Sequence, residues 1–391
     1  MKAVFIHDHN FVYNDTTKLY YDGSGGAFDK NLWERYLAIF DTLTVVGRQI
    51  DSLPNSLVVS STENVEFELI KGAHGFIDTV KNKHSIKSKL KTIIEQTDFV
   101  IIRLPSRLGS WAFDICKELN KKYVLEIVGD PFDAYWSHGS LLGKLIAPIE
   151  MYRLKRITKN AKNAIYVTSE MLQKTYPCLN NSIGISNVRL KETVKKESVS
   201  EFYNKENKVF KIGLIGSFHI KYKGHIEAVN AIKDLKNKGY SNIELYLVGT
   251  GNPNWVEDLI NENGLTNEIK IVGALLSGNE GVLPFIDSLD LYIHPSKQEG
   301  LPRVIIEAMS RGKVCLGSNV GGTQELLAKQ FIHSPGDWKN LSSQIEVILK
   351  MSKEEKIEVA LNNLNVAQGY LENILQKNRI EFIKRINHES N

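Results

Sequence analysis

Short apolar runs of four to six residues recur along the chain, and between them the apolar positions spread out to a helical spacing. In the first half the runs are Ala3–Ile6, Leu43–Val46, Phe99–Leu104, Tyr123–Val128 and Ala164–Thr168. In the second half they are Phe210–Ile215, Ile243–Val248, Ile269–Val272, Leu289–His294 and Val314–Ser318. Alternation of such runs with longer amphipathic stretches predicts α/β layers with largely parallel sheets. Between the two sets lies 191–208, dense in Lys, Glu and Ser with little apolar pattern, which reads as a connection. The expected organisation is two Rossmann-like domains, 1–190 and 209–370, joined by a linker at 191–208 and facing across a cleft. The last stretch, 371–391, carries an amphipathic helical pattern.

Composition narrows the class. A chain of 391 residues with 42% hydrophobic content can build two domains with real cores. The net charge of +4 is too weak to imply a nucleic-acid partner. Cys116, Cys178 and Cys315 are scattered, form no metal-ligand spacing and fit a reducing cytoplasm. Met1-Lys2 leads directly into the first apolar run, so no signal peptide is expected. No uncharged run approaches the ~20 residues that span a bilayer; the stretch 140–149 is broken by Lys144 and Pro148.

The most informative segment is 294–309, His-Pro-Ser-Lys-Gln-Glu-Gly-Leu-Pro-Arg-Val-Ile-Ile-Glu-Ala-Met. Glu299 precedes an expected helix start, and Glu307 falls about two turns into that helix by the ~3.6-residue period. Gly300 frees the turn and Pro302 suits a helix entry, where a missing N–H costs least. Backbone N–H groups around Gly300, Leu301 and Arg303 would then form an anion site. A loop carboxylate, an anion-binding helix start and a second carboxylate suit a nucleotide sugar.

The segment resembles the E-x7-E signature of the retaining GT-B glycosyltransferases of family 4. The likeness continues through Gly312, the apolar run Val314–Ser318 and Gly321-Gly322-Thr323-Gln324-Glu325. It implies a GT-B fold, a nucleoside-diphosphate-sugar donor in the second domain and an acceptor in the first. It also implies that the C-terminal helix returns to the first domain. Glu299 would face the donor sugar and Glu307 the ribose hydroxyls. The family usually needs no metal and no cofactor beyond this co-substrate, and retention without a firmly placed nucleophile fits front-face attack.

Other segments extend the resemblance. Gly216-Ser217-Phe218-His219-Ile220-Lys221-Tyr222-Lys223-Gly224 follows a strand, and its Lys223-Gly224 is similar to the family's Lys-Gly, whose lysine meets the donor diphosphate. Ser217 stands where the family often has Arg, which leaves one cation fewer unless Lys221 compensates. The glycine loop 21–28, with Gly25 and Gly26, resembles the family's N-terminal Gly-Gly loop. Gly249 lies in a Gly-x-Gly loop, and Ala274 follows the strand whose loop would hold the base edge. Asp130, in Val128-Gly129-Asp130-Pro131, stands near where the family often has a sugar-contacting His. It would either accept from a sugar or acceptor hydroxyl, with a catalytic role, or cap the next turn. His7 and His9 follow the first run, and His138 is a further candidate.

The expected function is transfer of a sugar to a hydroxyl of a glycan, carried on a lipid, in bacterial surface polysaccharide or O-antigen assembly. The rivals are a catalytically impaired nucleotide-sugar-binding scaffold and a GT-B epimerase or hydrolase. Basic runs at Lys81–Lys91 and Arg153–Lys162 suit either peripheral contact with an anionic membrane on its cytoplasmic face or a solvated helix face.

Overall fold

A computed structural model describes residues 1–23, 28–51, 58–72, 76–137, 141–205, 208–276 and 278–388. Contacts divide the chain into two compact units. The first comprises 1–135, 140–185 and the C-terminal stretch from Gln376; the second is mainly Ser186–Leu375.

The first unit is built on a sheet of nine strands. They are β1 (Lys2–Asn14), β2 (Leu19–Asp22), β3 (Thr42–Gln49), β4 (Val58–Val59), β5 (Val65–Phe67), β6 (Phe99–Leu104), β7 (Lys122–Ile127), β8 (Asn163–Tyr166) and β9 (Asn181–Gly184). Strand β1 pairs in parallel with both β3 and β6, and β6 to β9 follow as parallel neighbours. Residues of β6 are buried throughout, as expected for a strand covered on both faces. Two features depart from the sequence expectation. Strand β1 does not stop at Ile6 but shifts register between Ile6 and Asn10, then continues as an antiparallel hairpin with β2. His7 and His9 therefore lie within the strand, not in a loop after it.

One buried polar group crosses this core. Arg103 donates to Glu126 at 3.0 and 3.1 Å, and the Tyr36 hydroxyl donates to the same carboxylate at 2.9 Å. Arg35 and Arg379 are buried as well, and both act on Glu126. Burial lowers Arg35 to about 10, with Arg379 adding to the shift. The final helix, Glu372–His388, joins this unit from Gln376, whose side chain donates to the Arg35 carbonyl at 2.7 Å.

The second unit carries six parallel strands: β10 (Phe210–Ile215), β11 (Ile243–Val248), β12 (Ile269–Gly273), β13 (Leu291–His294), β14 (Val314–Ser318) and β15 (Ile332–His333). Their order is β12-β11-β10-β13-β14-β15, so the winding reverses between β10 and β13. Ligands of open α/β sheets bind beyond the strand C-termini at such a reversal. The segment read as a linker, 191–208, instead contains a helix, Lys196–Asn204, whose Val199 and Tyr203 belong to this unit's core. The Tyr203 hydroxyl accepts from the Val314 N–H at 3.1 Å, which fixes that helix to β14.

Candidate functional site

The C-terminal ends of β10 and β13 bring together most of the residues singled out in the second unit. Glu299 lies five residues beyond β13. Its Oε1 accepts from Lys223 Nζ at 2.7 Å and bonds His294 Nε2 at 2.8 Å. On the other side of the His294 ring, Nδ1 bonds the Tyr292 hydroxyl at 3.0 Å. Burial alone would raise the Glu299 carboxyl, but His294 and Lys223 outweigh it and hold the group at about 2. Glu299 is thus a fixed anion throughout the physiological range.

The helix Arg303–Ser310 begins at Pro302, which supplies no side-chain cap. The N–H groups of Gly300, Leu301, Arg303 and Val304 find no acceptor among the described residues. Four donors at a helix start with no internal partner are a geometry that favours an anion. Glu307 projects from the same helix. Its carboxylate makes no side-chain hydrogen bond among the described residues, and burial raises its pKa against the opposing pull of Arg303. Tyr292, fully buried, feels the charge of both Glu299 and Glu307, so the two acids share one neighbourhood.

The Gly-Gly tail supports this arrangement. Gly321 has φ +49, and a Cβ there would come within 2.2 Å of the Gly300 carbonyl oxygen. The next N–H, of Gly322, donates to that same carbonyl at 2.6 Å. The tail therefore clamps the loop that carries Glu299, and only glycine permits the approach.

Loops after β10, β11 and β12 lie side by side. A Cβ on Gly249 would sit 1.9 Å from the Gly216 carbonyl oxygen, so those two backbones touch. The Gly249 N–H donates to the Gly273 carbonyl at 2.9 Å, and exposed Ala274 follows directly. Ser217 Oγ donates to the Thr250 carbonyl at 3.1 Å. Lys221 does not join Lys223: its ammonium stands over the Trp255 ring at 5.5 Å, whereas Lys223 turns to Glu299. Lys221 therefore does not supply, in this conformation, the cation expected in place of an arginine at Ser217.

The first unit's candidates fall elsewhere. Asp130 accepts from the Phe132 N–H at 2.8 Å and from the Tyr176 hydroxyl. Of its two readings, these bonds make the capping one. His9 Nε2 bonds Asp22 at 2.8 Å, and its ring stacks on Phe28 at 3.8 Å. Burial, followed by Arg103, lowers His7 well below the usual imidazole range, so its ring is neutral. Gly25, Gly26 and His138 lie outside the described residues. In the basic run before Glu95, Lys89 pairs with Glu68 and Lys91 with Glu118, which neutralises part of it.

Sequence reading gave no role to Tyr292 and His294. Their signal was the two-residue period of a strand, which puts both side chains on one face beside the Glu299 loop.

A family profile described as "Glycosyl transferases group 1" matches residues 209–351. CapJ of Staphylococcus aureus is 36% identical over 378 residues, covering 96% of this chain and 93% of CapJ. The S. aureus capsular polysaccharide biosynthesis glycosyltransferase CapH is 25% identical over 233 residues, 57% of this chain and 58% of CapH. N,N'-diacetylbacillosaminyl-diphospho-undecaprenol alpha-1,3-N-acetylgalactosaminyltransferase of Campylobacter jejuni is 24% identical over 240 residues, 58% of this chain and 59% of the enzyme. Among solved structures, Anabaena HepE in complex with UDP and glucose superposes with TM-score 0.70 at 16% identity, over 98% of this chain and all of HepE. The chain belongs to the group 1, family 4 retaining glycosyltransferases and has their GT-B fold.

Proposed function

We propose that this chain moves a sugar, with retention, from a nucleoside-diphosphate sugar to a hydroxyl of a lipid-linked glycan during assembly of a surface polysaccharide. The observation that carries the reading is the charged group Lys223–Glu299–His294 beside a helix start with unpaired N–H donors. Departure of a nucleoside diphosphate leaves negative charge on the outgoing phosphate. Lys223 and the N–H groups of the helix start are placed to stabilise it, the task such preorganised donors perform best in a dry site. Glu299, held ionised, would accept from sugar hydroxyls and orient the ring. Glu307 would accept from the ribose diol. With these donors in the charge-stabilising role, the reaction would proceed without metal.

Family membership supports the reaction class. CapH, by its name, belongs to capsule synthesis, and the Campylobacter relative is named for a diphospho-undecaprenol acceptor; both favour a lipid-linked glycan here. HepE was solved with UDP and glucose, which makes UDP-hexoses the first donors to test.

The test is an assay of nucleotide release and sugar transfer, with a panel of UDP- and GDP-sugars and a lipid-diphosphate saccharide as acceptor. Acceptor-dependent release, insensitive to chelator and abolished by Glu299→Ala, is expected. Release without acceptor would favour the hydrolase or epimerase reading. Binding without turnover would favour a scaffold, which the unreplaced arginine at Ser217 would explain.

A further inference from the structure

Tyr292 and His294 lie on one face of β13, a strand with β10 on one side and β14 on the other. They are 0% and 4% exposed, and their rings stack with centroids 6.1 Å apart. Such depth keeps both from touching a substrate. Their donors and acceptors nevertheless point one way. Ionised Glu299 can only accept, so His294 Nε2 carries a proton towards Oε1 at 2.8 Å. Burial keeps the Tyr292 hydroxyl protonated, and its proton goes to His294 Nδ1 at 3.0 Å. A buried donor without an acceptor would be costly. The bonds therefore run from Tyr292 to His294 to Glu299, and the tyrosine keeps the ring proton from settling on Nδ1 instead.

Glu299 Oε1 also accepts from Lys223 at 2.7 Å, while Oε2 meets no donor among the described residues. The two donors to Oε1 differ in freedom. Lys223 is 22% exposed at the end of a flexible four-carbon stem, whereas the His294 ring is fixed at both nitrogens.

We propose that Tyr292 and His294 are positioning residues for transfer: they hold Glu299 by Oε1 so that Lys223 can leave it for the donor diphosphate, with Oε2 turned to the donor sugar. The inference rests on the transferase reading of the site and adds to it a pair that touches no reacting atom. Without the pair, Glu299 would have Lys223 alone. A diphosphate would then compete with the carboxylate for that ammonium, because parting them would leave Glu299 without a partner.

The test is calorimetric titration with UDP and GDP of His294→Leu, Glu299→Gln and the double variant. His294→Leu should bind nucleotide on the order of tenfold more weakly than wild type, the worth of one hydrogen bond to a charged group. Adding Glu299→Gln should restore the affinity, because a neutral amide no longer retains Lys223. His294→Gln, whose amide can donate to Glu299 in place of the Nε2 proton, should stay close to wild type. Tyr292→Phe should weaken binding in the same direction but less, and takes the place of His294→Leu if circular dichroism shows that variant unfolded. A loss in His294→Leu that persists in the double variant would overturn the proposal, since the histidine would then support the fold and not Glu299.

Melting curves across pH read the hold without any nucleotide. His294 and Lys223 together keep the Glu299 carboxyl at about 2. Losing His294 raises that value, so the fall of stability with acid should end at a higher pH than in wild type. An acid limb unchanged in His294→Leu and Tyr292→Phe would overturn the proposal. If wild type binds no nucleotide while the variants shorten the limb, the transferase reading falls and the hold on Glu299 stands.

Discussion

Replacing Glu307 should pull stability and binding in opposite directions. Glu307 is half-buried, its carboxylate lacks a hydrogen-bond partner among the described residues, and desolvation raises its pKa. A raised folded pKa means the native state binds its proton more tightly than the unfolded chain does. Stability is then unaffected below the unfolded value near 4.5, falls as pH rises through the interval above it, and carries the full penalty beyond the folded value. Glu307→Gln removes that penalty, so the variant should melt above wild type at neutral pH and level with it in acid.

Nucleotide binding should respond the other way. Both carboxylate oxygens are available, one for each hydroxyl of a ribose diol. A hydrogen bond to a charged group contributes about 1.5–3 kcal/mol. Glu307→Ala should therefore weaken UDP, or whichever nucleotide binds, by roughly tenfold to a hundredfold or more. Glu307→Gln keeps one neutral acceptor and should lose less. Calorimetric titration with nucleoside diphosphates, paired with melting curves across pH, reads both quantities. If Glu307→Gln melts below wild type at neutral pH, the carboxylate has a structural partner and the argument fails. Unchanged affinity in Glu307→Ala would remove the residue from the ribose site.

Two further substitutions test the charged groups. Glu299, held at about 2 by His294 and Lys223, contributes stability that is present above the unfolded value near 4.5 and lost as pH falls towards 2. That amounts to on the order of 3 kcal/mol, so Glu299→Gln should flatten the acid limb of the stability profile over that interval as well as abolish transfer. In the first unit, Glu126→Ala leaves Arg103, Arg35 and Arg379 without their buried anion; removing one partner of such a group costs about 3–5 kcal/mol, read directly by urea denaturation.

The second unit was largely legible because parallel strands buried on both faces read as unbroken apolar runs. Its five longest strands were all foreseen, and only the two-residue β15 escaped. The hairpin half of β1 was not legible: His-Asp-His-Asn interrupts the apolar pattern where the register shifts. In 191–208, Val199, Phe202 and Tyr203 did carry helical spacing, but the surrounding lysines and glutamates masked it. Periodicity also cannot say which way an amphipathic helix faces. In Leu141–Lys159 one set of apolar positions packs inward and another lies in the open. At the site, backbone chemistry left glycines as its trace, so Gly249 and Gly321 could be found. The Tyr292–His294–Glu299 relay depends on a strand face meeting a loop and left only a faint mark.

Charge balance at the donor site decides what the Ser217 departure means. Under the proposed reading a nucleotide sugar brings about two negative charges, and the released nucleoside diphosphate about three, to a place that already holds Glu299 and Glu307. Against them stand Lys223, itself shared with Glu299 at 2.7 Å, the Arg303 guanidinium, which acts on Glu307, and the partial positive end of the helix that Arg303 begins. Lys221 is drawn off to Trp255. The site is therefore short of cation for a bare diphosphate. A full donor is better matched, because its sugar hydroxyls give Glu299 hydrogen bonds that free Lys223 for phosphate. Affinity should then favour nucleotide sugar over the released nucleotide, which would speed product departure. Ser217→Arg adds one cation beside the loops of Gly216 and Gly249, and a new charged hydrogen bond of about 1.5–3 kcal/mol should tighten nucleoside diphosphate at least tenfold. Because the product gains most, turnover should become limited by its release. If Ser217→Arg leaves nucleotide affinity unchanged, the diphosphate does not approach this loop, and Lys223 must meet it from another direction.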